Sequence, residues 1–292
     1  MNYHLILNPA AGRGLVKKLR PRLLSAAESL PGTVQAHLTA APGHAQQIAG
    51  ELKRENAIVI AVGGDGTIHE IANGLAGGNC TLGIVPVGSG NDFIKMLNLP
   101  RDHAAALEVI RRGKTLVMDL GKVNDRYFIN GLGLGFDAEV VIELQKVKGL
   151  RGFALYLYAV FKTLRRLRNR PVILDMNGRR ENREVFMINV GNGEYLGGGF
   201  RLTPGAKIDD GALDVCIFRS LSLGEVLRHL PKALSGKHVE LPQVEFLRAS
   251  RLVVESSEGF PVHADGELLG GGVTRLEISL LPQALKVIHN LP

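Results

Sequence analysis

The chain has 292 residues, 45% of them hydrophobic, and a formal net charge of +7. This length predicts two domains rather than one, and the basic balance favours anionic partners such as nucleotide phosphates, acidic lipid surfaces or nucleic acid without choosing among them. The two cysteines, Cys80 and Cys216, exclude a disulfide framework and a CxxC metal site, and they fit a reducing cytoplasm.

No basic and apolar leader precedes the first strand-like run, so we expect no secretory signal. The longest membrane-like stretch runs from Phe153 to Phe161. A spanning helix needs about 20 apolar residues, so this stretch is too short to cross a bilayer. The sequence therefore predicts a cytoplasmic protein.

The first 118 residues alternate strand and helix patterns. Short apolar, β-branched runs predict strands, and apolar residues at helical spacing predict helices between them. Such β-α repeats with fully apolar strands predict an α/β domain whose parallel sheet is covered on both faces. The predicted strands are 5–7, 34–38, 58–62 and 81–87, and the predicted helices are 15–30, 44–55, 67–75 and 104–112.

After Met118 strand-like pieces follow one another, which predicts a β-rich, antiparallel domain over residues 119–281. The dipeptide Asn177-Gly178 predicts a hairpin turn. The predicted strands are 126–130, 172–176, 184–190, 213–218, 251–255 and 274–280, with helices near 140–148, 153–167 and 223–234.

Three glycine-rich turns follow predicted strands of the first domain. They read Asn8-Pro9-Ala10-Ala11-Gly12, Gly63-Gly64-Asp65-Gly66-Thr67 and Gly88-Ser89-Gly90-Asn91-Asp92. Ligands of open α/β sheets bind beyond the carboxyl ends of the strands, so all three turns should lie at one binding edge. Glycine lets the backbone approach a ligand, and amides at a helix N-terminus attract phosphate.

Asp65 places a carboxylate among these phosphate-binding amides. A phosphate would repel it unless a cation lies between the two, so the turn predicts Mg²⁺ as the bridge. The alternative is that Asp65 only caps the helix that follows.

With these motifs the chain resembles the diacylglycerol kinase catalytic family, and more narrowly the bacterial soluble lipid kinases related to sphingosine and ceramide kinases. The resemblance rests on NPAAG at 8–12, GGDGT at 63–67 and PVGSGND at 86–92. It continues in NGLGLGFDAEV at 130–140, GGGFRLTPGAKIDDGALDV at 197–215 and HADGE at 263–267. GGDGT by itself also occurs in NAD kinases and phosphofructokinase-like enzymes, whereas the ordered combination is specific.

The resemblance implies an NAD kinase-like nucleotide-binding domain over 1–118, a β-rich sandwich domain over 119–281 that takes the lipid, and an active site in the cleft between them. It implies that residues 282–292 return to the first domain. It also places ATP contacts at Asn8, Pro9, Ala10, Ala11, Gly12, Thr39, Gly63, Gly64, Asp65, Gly66, Thr67, Ile68, His69, Glu70 and Ser89.

Two positions depart from the family pattern. Ser89 stands where threonine is common and keeps the hydroxyl. His69 stands where asparagine is frequent, and we expect it to face solvent from its helix.

By resemblance the carboxylates of Asp265 and Glu267 form the catalytic acidic pair, together with Asp65. A lipid hydroxyl is a poor nucleophile, and a positioned carboxylate can accept its proton during phosphoryl transfer. We assign that role to Glu267 and an orienting or metal-binding role to Asp265, although the sequence does not order the two. Without the resemblance, the dipeptide Asp265-Gly266 would predict only a solvated turn.

A second metal site is implied by KIDDGALD at 207–214. The resemblance gives it the carbonyl oxygens of Lys207 and Ala212 and the side chain of Asp210, which are oxygen ligands suited to a hard cation. A polar loop without metal is the alternative. The resemblance also implies that Asp137 tunes Asp65 or its metal.

Residues 146–183 contain eleven Lys or Arg and two acids, a local excess of +9. Apolar and aromatic residues at helical spacing run through this segment at Phe153, Tyr156, Leu157, Val160, Phe161, Leu164 and Leu167. A basic helix of this kind suits an anionic membrane surface. The alternative is that the apolar stripe packs on the β-rich domain and the arginines are solvated.

The function that accounts for most of these features is ATP- and Mg²⁺-dependent phosphorylation of a diacylglycerol-like lipid at a membrane surface. Two alternatives remain open: a soluble-substrate kinase of the NAD kinase type, and a non-catalytic module that binds nucleotide or lipid. We expect no specific nucleic-acid binding and allow for a homodimer. The sequence does not identify the lipid.

Overall fold

The computed structural model describes residues 1–147, 152–176 and 178–292. The chain forms two compact units, one of Met1–Leu120 with Pro282–Pro292 and the other of Gly121–Leu281. The sequence predicts the first domain over 1–118 with the return of 282–292, and the second over 119–281. Asn177, a residue of the predicted hairpin turn, lies outside the part of the chain that the structure describes.

The first unit alternates strands and helices, as its hydrophobic pattern predicts, and it is an α/β unit. Its sheet runs in the order β2-β1-β3-β4, and each of these neighbouring pairs is parallel. Every residue of β3 is buried, which explains its continuous apolar sequence. The elements are β1 (Asn2–Leu7), α1 (Ala11–Ala27), β2 (Thr33–Leu38), α2 (His44–Leu52), β3 (Ala57–Gly63), α3 (Asp65–Leu75), β4 (Thr81–Pro86), α4 (Phe93–Met96) and α5 (His103–Arg112).

The second unit is β-rich, as predicted, and the strand pairs recorded within it are antiparallel. Strand β7 lies between β9 and β14, and β9 also pairs with β12. The elements from residue 115 onward are β5 (Thr115–Val123), β6 (Arg126–Phe128), β7 (Gly131–Gly135), α6 (Phe136–Lys146), α7 (Gly152–Leu164), β8 (Arg170–Met176), β9 (Arg179–Gly191), β10 (Tyr195–Leu196), β11 (Phe200–Arg201), β12 (Leu213–Arg219), α8 (Leu223–Ser235), a 3-10 turn (Lys237–Glu240), β13 (Val244–Ala249), β14 (Arg251–Ala264) and β15 (Glu267–Ile288).

Two buried apolar clusters stabilise the second unit. One is built from strand residues such as Phe128, Val190 and Phe260. The other packs helix residues such as Val140, Val160 and Val226 against strand residues. The helices therefore cover one group of strand side chains, while the remaining strand side chains pack on one another.

Within the described residues, no helix is both long and apolar enough to cross a membrane. The longest membrane-like stretch of the sequence falls in α7, which has 13 residues. Both cysteines are free and buried.

The last strand, β15, ends in the first unit. Its Lys286 pairs in parallel with Thr81 of β4, and the amide of Gly77 donates to the carbonyl of Ala284 at 2.8 Å. Leu285 is 2% exposed. The terminal segment therefore extends the sheet and fills the core of the unit.

We expect Leu285→Ala to lower the free energy of unfolding by about 2–5 kcal/mol, because truncating a buried leucine loses apolar burial and leaves a cavity. Urea unfolding measures this, and Lys286→Ala, at an exposed neighbouring position, is the matched control. Equal urea midpoints for the two variants would contradict a packed terminal strand.

Candidate functional site

The three glycine-rich turns of the first unit meet at the carboxyl ends of β1, β3 and β4, as the sequence predicts. The amide of Asn8 donates to the carbonyl of Val62 at 3.1 Å, and the amide of Val87 donates to the carbonyl of Gly63 at 2.7 Å. The three turns thus form one surface, with the N-terminus of α3 in it. The first amides of a helix have no acceptor inside it, so they are available to an anion.

Two glycines make the close approach of the second and third turns possible. A Cβ on Gly88 would stand 2.7 Å from the Cα of Gly64, and one on Gly64 would stand 3.2 Å from the Cα of Gly88. Backbone on both sides leaves no flexible atom to move. The requirement for glycine here is steric, which is why both motifs carry it.

Asn8 joins the first turn to the second. Its amide nitrogen donates to the hydroxyl of Thr67 at 3.0 Å, and its side-chain oxygen accepts from the amide of Ala10 at 3.0 Å. Asn8 is therefore a bridge within the site as well as a candidate ligand contact. Thr67 is 5% exposed.

Asp65 joins the second turn to the third. Its carboxylate accepts from the amide of Asn91 at 2.7 Å and from the amide of Asp92 at 3.0 Å. It does not cap its own helix, because the N-cap of α3 is Gly64. The alternative interpretation, that Asp65 caps the helix after it, is wrong: the carboxylate satisfies the turn that precedes α4.

Burial raises the pKa of Asp65, and the charge of Asp92 raises it further, while backbone hydrogen bonds from residues 91–93 offset part of the rise. The Asp92 carboxylate, which the sequence analysis did not single out, forms an ion pair with Lys95 at 2.7 Å. Two carboxylates close enough to repel each other would gain from a cation beside them. The oxygens of these carboxylates are of the type that binds Mg²⁺, but Asp92 already pairs with Lys95 and Asp65 already accepts two backbone amides.

The other residues predicted to contact the nucleotide differ in burial and in their place in the fold. Thr39 is 8% exposed and follows β2, and its amide donates to the carbonyl of Leu7 at 3.0 Å. Pro9 and Ala10 lie in the first glycine-rich turn, Ala11 and Gly12 begin α1, and Gly66 lies in the first turn of α3. Ser89 is exposed in the third glycine-rich turn.

Three residues of α3 have roles in packing or capping. Ile68 is fully buried in the core. Glu70 accepts from the amides of Gly43 and Ala45 at 2.9 and 3.1 Å, so its carboxylate caps α2. The expectation that His69 faces solvent is wrong: it is 5% exposed, because its position falls on the packed face of α3.

In the second unit Asp265 and Gly266 form the two-residue turn between β14 and β15. Both have positive φ, 50° and 87°, and Ala264 pairs with Glu267 across the turn. This geometry is that of a type I′ hairpin, for which Asp-Gly is a favoured sequence.

The carboxylate of Asp265 accepts three backbone hydrogen bonds, from the amides of Ile129, Asn130 and Gly131 at 2.8, 2.9 and 2.9 Å. The amide of Asp265 in turn donates to the carbonyl of Gly131 at 2.8 Å. Asp265 thereby fixes the turn to the segment that enters β7. Glu267 is exposed, and its side chain has no hydrogen bond to another described residue.

Asp137 lies in the first turn of α6 and is 4% exposed. It accepts from Asn189 at 2.7 Å and from Tyr156 at 3.3 Å, and it lies 3.0 Å from the Nε2 of His263. Burial raises the pKa of Asp137, but the interactions with His263, Asn189 and Tyr156 outweigh burial and hold the pKa below its ordinary value. The sequence assigned no site role to His263 or Asn189, although His263 begins HADGE, and it placed Tyr156 only in the apolar stripe of the basic segment.

Lys207, Asp210 and Ala212 lie in the loop before β12. The Asp210 carboxylate forms an ion pair with Arg248 and also accepts from the amide of Ala212 at 3.3 Å. Arg248 lies 3.8 Å from Asp214 as well. The carbonyl and carboxylate donors suit a hard cation, but the guanidinium of Arg248 already supplies positive charge there.

No group of three or more His, Cys, Asp or Glu side chains within the described ranges is placed to hold a metal ion.

An apolar cavity of about 60 Å³, partly open to solvent, lies in the second unit between its helices and strands. Its wall includes Asp137, His229, His238 and Gln243 as polar residues. The apolar wall consists of Phe136, Tyr156, Val160, Phe186, Met187, Phe200, Leu202, Phe218, Leu221, Val226, Leu230, Ala233, Leu241 and Val244. Its apolar lining suits an apolar ligand, whereas its volume is well below that of a site for a whole lipid.

Helix α7 buries part of the apolar stripe for which the sequence predicted membrane contact and exposes the rest. Tyr156, Val160 and Leu164 are at most 8% exposed and pack in the core, whereas Tyr158 and Phe161 are 46% and 51% exposed. Lys148 and Arg151 of the basic segment lie outside the described residues, and so does the side chain of Phe153.

Some basic side chains of this segment form ion pairs, and others do not. Lys146 and Lys162 pair with Glu143, and Arg170 pairs with Glu139. Arg165, Arg166 and Arg168 line a polar pocket beside these pairs, and no ion pair to another described residue is recorded for them. The uncompensated charge therefore concentrates just after α7.

Two protein-family models match the chain. The model of the diacylglycerol kinase catalytic domain matches residues 2–123, and that of the YegS C-terminal NAD kinase beta sandwich-like domain matches residues 131–289. The diacylglycerol kinase of Bacillus subtilis (strain 168) is 34% identical over 271 residues, which cover 91% of this chain and 89% of that protein. The diacylglycerol kinase of Staphylococcus carnosus (strain TM300) is 31% identical over 270 residues, with 91% and 88% covered.

Solved structures agree with this relationship. A crystal structure of a diacylglycerol kinase from Bacillus anthracis str. Sterne has a TM-score of 0.76 and 27% identity, and the match covers 99% of this chain and 97% of that one. An NAD kinase from Archaeoglobus fulgidus in complex with ATP has a TM-score of 0.55 and 14% identity, covering 99% and 94% of the two chains. The second match shows a shared fold alone.

His238, in the cavity wall, should make stability depend on pH. Its ring is 1% exposed, and burial lowers its pKa although hydrogen bonds to the carbonyls of Leu202 and Lys232 raise it in part. Below the ordinary histidine value of about 6.5 the unfolded chain binds a proton that the folded chain resists, so stability is lost as pH falls, by at most about 1.4 kcal/mol per pH unit.

Urea midpoints at pH 7.5 and pH 5.0 measure this effect. We expect His238→Phe, which keeps an aromatic ring beside Phe218, to show the smaller drop. An equal drop in both proteins would show that His238 does not contribute.

Proposed function

Because the chain belongs to the diacylglycerol kinase family, we propose that it transfers the γ-phosphate of ATP to the hydroxyl of a diacylglycerol-like lipid. The observation that carries this proposal is the hairpin of the second unit. Its turn is fixed by three backbone hydrogen bonds to Asp265, and it presents the exposed carboxylate of Glu267.

The first unit is proposed to bind the nucleotide. Its three turns offer backbone amides, the N-terminus of α3 adds its positive dipole end, and the Gly64–Gly88 approach leaves the backbone open. The buried side chain of Ile68 and the capping carboxylate of Glu70 would support this surface rather than touch ATP.

The two carboxylates of the hairpin are proposed to differ in role. Asp265 already accepts three amides, so its oxygens serve to hold the turn. Glu267 has no such bonds within the described residues and would accept the proton of the lipid hydroxyl. The hydroxyl oxygen forms the new bond to the γ-phosphorus, the bond to the β-phosphate oxygen breaks, and ADP leaves.

Mg²⁺ bound with ATP would neutralise phosphate charge during transfer. Asp65 and Asp92 offer carboxylates at this edge of the first unit, and the repulsion of Asp65 by Asp92 supports a cation beside them. A second cation at Lys207, Asp210 and Ala212 would have to share Asp210 with Arg248, so we propose that site only as a structural one.

The apolar cavity of the second unit is proposed to take the hydrocarbon part of the lipid. Its lining is apolar, so the cavity would offer burial to an acyl chain once it widens, whereas a nucleotide or sugar would leave polar groups without partners there. This feature favours a lipid acceptor over a soluble one.

The exposed face of α7 is proposed to bring the enzyme transiently to an anionic membrane. Tyr158 and Phe161 offer apolar contact, and Arg165, Arg166 and Arg168 offer charge. The predicted cytoplasmic location is part of the same proposal, and self-association remains an expectation.

We expect Glu267→Gln to lower kcat for lipid phosphorylation by about 10²–10⁴-fold, since the amide cannot accept the proton. ATP binding should be unchanged. The assay follows label from [γ-³²P]ATP into dispersed diacylglycerol, with NAD and sugars as competing acceptors and Glu258→Gln, an exposed glutamate of β14, as the matched control.

Label in NAD but not in lipid would favour the soluble-substrate alternative. ATP binding without transfer to any acceptor would favour a non-catalytic module. A Glu267→Gln variant as fast as the control would remove Glu267 from the chemistry.

Arg165→Gln/Arg166→Gln should weaken binding to phosphatidylglycerol vesicles about thirtyfold, because each basic residue near an anionic surface contributes about 1 kcal/mol. Vesicle sedimentation measures the affinity. Arg111→Gln/Arg112→Gln removes the same charge from α5, where both arginines are paired with Glu108, and should change little. Equal losses for the two pairs, or equal binding to phosphatidylcholine vesicles, would refute docking by this face.

A further inference from the structure

We infer that His263 is a positioning residue, which sets the place of the Glu267 carboxylate by fixing the backbone of the hairpin turn from inside the second unit. The inference rests on the proposed function, in which Glu267 accepts the proton. In this inference His263 makes no contact with the reacting atoms. It acts through a chain of hydrogen bonds that runs from Gly266 through His263 to Asp137.

His263 belongs to a row of residues across three neighbouring strands. It pairs with Gly133 of β7, and Gly133 pairs with Asn189 of β9. His263 is 2% exposed and Asn189 is fully buried. The central position of the row has no side chain, and the carboxylate of Asp137 lies against it.

Gly133 is required for this arrangement. A Cβ at this position would stand 2.3 Å from the Oδ2 of Asp137 and 2.3 Å from the Nε2 of His263. Any other residue would push the carboxylate and the ring apart. The alternation of glycine and leucine in β7 thus leaves room for a buried polar pair on one face, while Leu132 and Leu134 pack in the core.

The two nitrogens of His263 have different partners. Nε2 lies 3.0 Å from the Oδ2 of Asp137, and Nδ1 accepts from the amide of Gly266 at 3.2 Å. Because an amide can only donate, this pattern requires Nδ1 to be the acceptor and Nε2–H to be the donor to Asp137. Asn189 and Tyr156 hold the carboxylate from other directions.

The turn is therefore fixed at both of its central residues. Asp265 is held through its carboxylate by residues 129–131, and Gly266 is held through its amide by His263. A type I′ turn forms without such help, so the anchors add placement rather than shape. Glu267 follows directly, and a displacement of about 1 Å of a catalytic group can cost about a hundredfold in rate.

Isosteric substitutions separate the two contacts of the ring. His263→Asn keeps an acceptor at the place of Nδ1 but loses the link to Asp137. His263→Gln keeps a donor near Nε2 but loses the acceptor for Gly266, and His263→Leu loses both.

We expect kcat for lipid phosphorylation to fall about tenfold to a hundredfold in His263→Gln and His263→Leu, with KM for ATP unchanged. His263→Asn should exceed His263→Gln in kcat by about tenfold, because it restores the acceptor. Hydrogen exchange at the Gly266 amide should be faster in His263→Gln than in His263→Asn. A residue that serves stability alone would lower the urea midpoint without this order of kcat values.

Wild-type kcat in His263→Gln, or equal kcat in the Asn and Gln variants, would overturn the inference. If His263→Leu does not fold, the Asn and Gln pair decides. Should wild-type protein phosphorylate no lipid, the proposed function fails on its own. The Gly266 exchange rates would then still test the anchor, and equal rates in the two variants would overturn it.

Discussion

Carboxylates that accept backbone amides hold both candidate functional turns in place. Asp65 accepts the amides of residues 91 and 92 in the first unit, and Asp265 accepts those of residues 129–131 in the second. Hydrogen bonds to a charged acceptor are stronger than neutral ones, and amides left unpaired near a buried carboxylate would be costly. The turns that are proposed to contact ligands are thereby held to neighbouring backbone by hydrogen bonds.

This arrangement changes how the acidic motifs are understood. In GGDGT and HADGE the aspartates are occupied by backbone donors, and the residues left accessible are amides in one motif and Glu267 in the other. The negative charges of the two aspartates therefore serve first to hold the turns in place. In the proposed function a cation or phosphate would meet a surface that needs little reorganisation, which favours electrostatic catalysis.

The second unit combines an apolar cavity, a buried polar row and an exposed basic helix end. These parts share α6 and α7. Asp137 and Tyr156 line the cavity, and Asp137 also contacts His263 and Asn189 of the polar row, while the other face of α7 exposes Phe161. A single helix therefore contributes to the core, to the cavity and to the surface. Such sharing explains why the aromatic stripe read from the sequence was neither wholly buried nor wholly exposed.

The sequence alone determined the α/β and β-rich units and the meeting of the three glycine turns, because strand period, apolar runs and glycine turns are local properties of the chain. It also singled out Asp265 and Glu267, by resemblance, without ordering them. Only the tertiary structure showed that the carboxylate of Asp265 accepts three backbone amides and that His69 is buried. It also showed that Asp92 lies beside Asp65 and that His263 and Asn189 lie beside Asp137. These facts depend on contacts between residues up to 136 positions apart, which no local pattern encodes.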